Sequence, residues 1–100
     1  MPAKRLELGA RARADLDQIW TFTAAQWDPR QADEYTNRLN AAMVGLANGS
    51  PIGHLARDNR YLVLRFAAHM IYFRAEANAI KVVRILHGQQ LPERHLPPEA

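Results

Sequence analysis

One hundred residues, 48% hydrophobic and 23% charged, make a single globular domain with room for one core. The formal net charge of +3 favours an acidic protein or a nucleic acid as partner, and no apolar run approaches the roughly 20 residues that cross a bilayer. Cysteine is absent, which excludes disulfides and thiolate metal sites, and the N-terminus lacks the apolar stretch of a secretory signal, so a cytoplasmic protein is expected.

Lys4 to Leu8 alternates Arg5 and Glu7 with Leu6 and Leu8, which predicts a short strand with one buried face, broken at Gly9. From about Ala12 the period becomes helical, with Leu16, Ile19, Trp20, Thr23 and Trp27 on one stripe. Asp15 and Asp17 lie near the start of this helix, where its dipole favours acids. Asp28-Pro29-Arg30-Gln31 predicts a second helix start: Asp28 caps, Pro29 suits the first turn, and Gln31 occupies the reciprocal capping position. Ala32, Tyr35, Leu39, Ala42, Met43 and Leu46 give that helix its inward face. Gly49 supplies a left-handed cap and Pro51 a stop. About one residue separates the two helices, which predicts an antiparallel hairpin.

Pro51 to Asn59 is expected as a loop returning to the sheet. Arg60–Phe66, His69–Ala75 and Ile80–His87 are then expected as three antiparallel strands joined by short turns. In the last of them Ile80, Val82 and Leu86 fall on one face and Val83 and Ile85 on the other, the pattern of a central strand. Gln89 to Ala100 carries three prolines and reads as an irregular tail. The expected fold is α+β: a β-α-α-β-β-β order with a helix hairpin packed on a small, mainly antiparallel sheet. Residues 1–96 form the domain and 97–100 a flexible end.

The chemistry concentrates in the strands, where Arg60, Arg65, Arg74, Arg84 and His87 stand among apolar residues. Arginine in a strand needs water or a partner for its charged end. Alternation puts Arg65 with Tyr61 and Val63, away from the helices. A cationic row of this kind suits carboxylates or phosphates, and the ordinary alternative is a solvated face with ion pairs to Glu76 or Asp58. His54, His69, His87 and His95 lack ligand spacing, so no metal and no cofactor is expected. Trp20, Trp27 and Tyr35 belong to the helices' apolar stripes, as core or as a groove that a partner fills. No phosphate loop, nucleophile elbow or paired catalytic carboxylate is present. The residues alone lead to a basic domain with an anion-seeking sheet face.

A resemblance goes further. The chain carries A-x-A-D-L-x-x-I-W at Ala12–Trp20, W-x-P-x-Q-A at Trp27–Ala32 and Y-x-x-R-L-x-x-A at Tyr35–Ala42. The stretch Asn48 to His54 follows, then R-F-x-x-H-M-I-Y-F-R (Arg65–Arg74) and V-V-R-I-L-H-G (Val82–Gly88). In this order and spacing it resembles the ParE branch of the RelE/ParE toxin superfamily. That resemblance implies a type II toxin–antitoxin toxin that inhibits DNA gyrase and blocks replication. It implies neutralisation by a cognate antitoxin, acidic and of the ribbon-helix-helix, ParD-like kind, with DNA contacted through gyrase or the antitoxin complex.

The runner-up is RelE-like cleavage of messenger RNA on the ribosome, with Arg65, Arg84 and His87 as a reduced nuclease site. Many such nucleases place a tyrosine just after the last strand. Here Gly88 follows His87 and no tyrosine follows Tyr72, the ending typical of ParE-like chains, so a non-enzymatic toxin is expected. Arg65, Arg74, Arg84, His87 and Arg94 are the expected target-binding residues. Leu16, Trp20, Tyr35, Leu39 and Arg60 are the expected antitoxin contacts.

Overall fold

The computed structural model describes residues 3–51, 53–58 and 61–96. Strand β1 (Arg5–Leu8) leads into α1 (Ala10–Gln26) and α2 (Pro29–Ala47), and four strands follow: β2 (His54–Asp58), β3 (Tyr61–Phe66), β4 (His69–Ala75) and β5 (Ala79–His87). A one-turn helix, α3 (Pro92–His95), closes the described chain. The expected order and the helix hairpin stand, with one strand more than the sequence suggested. Arg60 and residues 97–100 lie outside the described residues.

The sheet runs β1-β5-β4-β3-β2, antiparallel throughout except where β1 lies parallel to β5. β5 is therefore an interior strand between β1 and β4, as its two apolar faces require, while β4 holds the central place. β2 falls inside the stretch expected as a loop, and the reason is its position. As an edge strand whose residues 54–57 are all exposed, it has no face to bury and so no alternation to betray it. The tail also departs from expectation, because Pro92 starts α3 from a first-turn position where its missing N–H costs nothing.

The second helix starts as its sequence predicts: Asp28 Oδ1 accepts from the Gln31 N–H at 2.8 Å. An Asp28→Ala variant is expected to lose about 1 kcal/mol of stability, read as a lower urea midpoint with an unchanged slope. At the other end Gly49 sits at φ 78°, and Ser50 N–H reaches the Gly45 carbonyl at 2.8 Å. That left-handed turn is open to glycine without strain.

The main core lies between the hairpin and the sheet, where Leu39, Met43, Leu64, Ile71 and Val82 are almost wholly buried. A second, smaller cluster occupies the opposite face of the sheet, with Tyr61, Val63, Tyr72 and Leu86 buried and Leu96 packed over them. Arg65 shares this outer face, as alternation predicted. Within β5 alternation fails at one point. Tyr72 pairs with Arg84 but Phe73 with Val82, so Val83 is an extra, bulged residue. The bulge shifts the phase by one, and Ile85 joins Ile80 and Val82 in the main core while Leu86 joins Val83 on the outer face. Trp27 departs too: α1 ends at Gln26, and Trp27 at its cap is 70% exposed.

Candidate functional site

The bulge sets up the most constrained polar arrangement in the fold. β1 accompanies β5 only as far as Val82, so the ladder edge beyond it has no strand to pair with. Asp15 of α1 takes that place. Its Oδ2 accepts from the Ile85 N–H at 2.9 Å and from Arg84 Nε at 2.8 Å, while Oδ1 accepts from Arg84 Nη2 at 2.9 Å. Arg84 Nη1 donates to the His95 carbonyl at 2.9 Å, which fastens α3 to the sheet. The Asp15 hydrogen bonds raise the Arg84 pKa further, against the opposing effect of burial. The pair is thus a two-pronged, buried ion pair tying α1, β5 and α3 together.

Sequence reasoning missed Asp15, which it assigned to the helix dipole. The signal was present in the spacing. Asp15 is three residues after Ala12 and four before Ile19, the buried stripe of α1, and a carboxylate there needs a cation.

Beside this pair opens a cleft of about 570 Å³ between the hairpin and the end of the β4–β5 ladder. His69 and His87 are cross-strand partners on its floor, with ring centroids 5.6 Å apart and planes perpendicular. Tyr35 Oη lies 2.7 Å from His69 Nδ1. Burial lowers the His69 pKa, His87 lowers it further, and Asp15 partly offsets both. Burial also raises the Tyr35 pKa, opposed by a backbone hydrogen bond from Ala68.

The His69 shift has a pH consequence. The unfolded chain takes up a proton on this histidine near pH 6.5, whereas the folded protein does so only at lower pH. Stability should therefore hold above that value and fall as pH drops below it, until the folded ring also protonates. Urea titrations over this range should show a shallower acid loss in His69→Gln than in the parent.

The structure separates the expected site residues. Arg65 on β3, Arg74 on β4 and Arg94 on α3 are exposed, and among the described residues none has an acidic partner. Arg84 does not belong with them, since its charge is spent on Asp15. His87 is exposed at the end of β5. The three residues of the reduced nuclease site do not converge. Arg65 lies in the cross-strand row with Met70 and Leu86 on the outer face, whereas His87 lies in the row with His69 and Phe66 on the helix side.

Of the expected antitoxin contacts, Leu16 is half-buried against the core and Tyr35 is half-buried on His69. Trp20 is 36% exposed and donates its Nε1–H to Asp33 at 2.8 Å, bridging the two helices. Leu39 is 0% exposed and offers no surface, because it sits in the middle of the α2 inward face. Phe22, at 66% exposed, joins Trp27 at the cleft instead. Among the described residues no three His, Cys, Asp or Glu side chains gather to hold a metal, and no helix is long and apolar enough to cross a membrane.

Comparison with known proteins agrees with this fold. Residues 6–92 match the sequence model of the ParE toxin of the type II toxin–antitoxin system parDE. The chain is 30% identical over 95 residues to Toxin ParE1 of Caulobacter vibrioides, covering 93% of this chain and 98% of that protein. It is 31% identical over 97 residues to Toxin ParE1 of Mycobacterium tuberculosis, with 94% and 99% covered. Toxin RelE3 of Caulobacter vibrioides shares 32% over 90 residues, with 85% and 95% covered. A solved structure described as the chromosomal ParDE TA system from P. aeruginosa has the same fold, with a TM-score of 0.72 at 19% identity over 85% of this chain and 96% of that one. With the family's pattern running from β1 to α3 and the fold following it, the chain belongs to the ParE toxin family of type II toxin–antitoxin systems.

Proposed function

We propose that this chain acts in the cytoplasm by binding rather than by catalysis: it inhibits DNA gyrase and is held inactive by direct contact with a cognate acidic antitoxin. The observation that carries the reading is the committed state of Arg84. Stabilising a phosphorane takes a cation free to meet the developing charge, and here the guanidinium is locked into Asp15 and a backbone carbonyl. Arg65, which would have to share that task, lies on the other face of the sheet from His87. Exposed Arg65, Arg74 and Arg94 then serve as anion-facing contacts to gyrase and its DNA. Trp20, exposed on the hairpin, gives the antitoxin an aromatic contact.

The test runs a purified-gyrase supercoiling assay beside in vitro translation with labelled messenger RNA. Lost supercoiling with linear plasmid accumulating, and intact message, is the expected result. Ribosome-dependent cleavage of the message with untouched gyrase would overturn the reading in favour of a RelE-like nuclease.

A further inference from the structure

The histidine cleft has a property that the proposed function leaves unused: its floor brings two histidine rings together with Arg38 and Gln90. The Gln89 N–H donates to His87 Nδ1 at 3.2 Å, so the neutral His87 ring carries its proton on Nε2. Tyr35 Oη and His69 Nδ1 share a hydrogen bond of 2.7 Å, and with the phenol O–H as its donor the neutral His69 ring carries its proton on Nε2. Among the described residues neither Nε2–H has an acceptor. Gln90 uses its Oε1 on the His87 N–H at 2.7 Å, which leaves its amide N–H groups facing the same space.

Charge points the same way. Of the carboxylates along the cleft, Asp15 is neutralised by the buried Arg84, and Glu34, more than half exposed to water, has Arg30 at 3.7 Å. Arg38, also along the cleft, has no acidic partner among the described residues. Phe22 and Trp27 add exposed aromatic rings to a wall that also carries Ile19 and Ile85, and a volume of about 570 Å³ suits a small molecule.

We propose that this cleft binds a small aromatic oxyanion, with its ring against Trp27 and Phe22 and its carboxylate or phosphate oxygens held by His69 Nε2–H, His87 Nε2–H and Arg38. The site needs neither gyrase nor antitoxin, so it stands or falls separately from the proposed function. It is tested on the full chain by long-range ¹H–¹⁵N spectra of the histidine rings, first alone and then with phenyl phosphate or phenylacetate. Both rings should appear as Nε2–H tautomers near neutral pH. At least one probe should shift both rings saturably, and which one does so distinguishes a phosphate source from a carboxylate source. Inorganic phosphate and phenol, each half of the ligand, should bind about tenfold more weakly.

His87→Phe and Trp27→Ala should each weaken binding by about tenfold; Trp27 is exposed enough that its removal leaves the fold intact. An Nδ1–H tautomer on either ring would overturn the proposal. So would the absence of saturable shifts up to about 10 mM of either probe, or binding that Trp27→Ala leaves unchanged.

Discussion

Replacing Asp15 with alanine should lower folding free energy by about 3–5 kcal/mol, a large fraction of the roughly 5–15 kcal/mol that stabilises a domain. The side chains of Arg84 and Asp15 are only 11% and 9% exposed, so removing the carboxylate leaves a guanidinium in a site with little water to replace it. The same change orphans the Ile85 N–H, a ladder donor that β1 never reaches. Urea denaturation of Asp15→Ala against the parent reads the effect directly. An Asp15→Leu/Arg84→Met double variant should recover the part of the loss that comes from the stranded charge, though not the part from the Ile85 N–H, since it removes both charges and refills the volume. A single-variant loss under about 1 kcal/mol would mean that the pair behaves as an exposed one, contrary to its burial.

The second large effect is expected at Leu39. Truncation to alanine empties a fully buried position at the centre of the α2 face, against Leu64 and Ile71 in the same core. The expected cost is about 2–5 kcal/mol, with the spread set by how far the neighbours collapse. The denaturant midpoint should fall at unchanged slope. Trp27→Ala, at 70% exposure, is the matched control and should stay within about 0.5 kcal/mol of the parent. If Leu39 were a surface contact, the two variants would behave alike.

Local signals were legible in the sequence wherever one short stretch carried all the information. The Asp28-Pro29 start, the Gly49 cap, the alternation that turned Arg65 outward and the double-faced β5 needed only neighbouring residues. What stayed hidden depended on partners far away or on missing constraints. β2 buries nothing along residues 54–57 and so has no period. The Asp15–Arg84 pair joins residues 69 apart, and each looks unremarkable without the other. The Val83 bulge broke the inference from alternation, because a shift of one residue exchanges the faces of everything after it. Leu39 has the spacing of an inward-facing residue, and its complete burial leaves no surface for the partner contact expected of it. The cleft was the least legible feature, since its donors come from α2, β4, β5 and the turn beyond.

The pairing of β1 with β5 has a consequence for how the protein comes into being. The first strand of the chain can find its partner only after the last one has been made. The helix hairpin and the β3–β4 ribbon form from contacts close in sequence, but the central seam closes over nearly the full length of the chain. Such long-range closure slows folding and places the decisive step at its end. A polypeptide interrupted before Ala79 lacks the strand that carries Arg84 and His87, and β1 is left with an open edge. The sheet therefore closes over β1 only once β5, the strand that also carries Arg84 and His87, is in place.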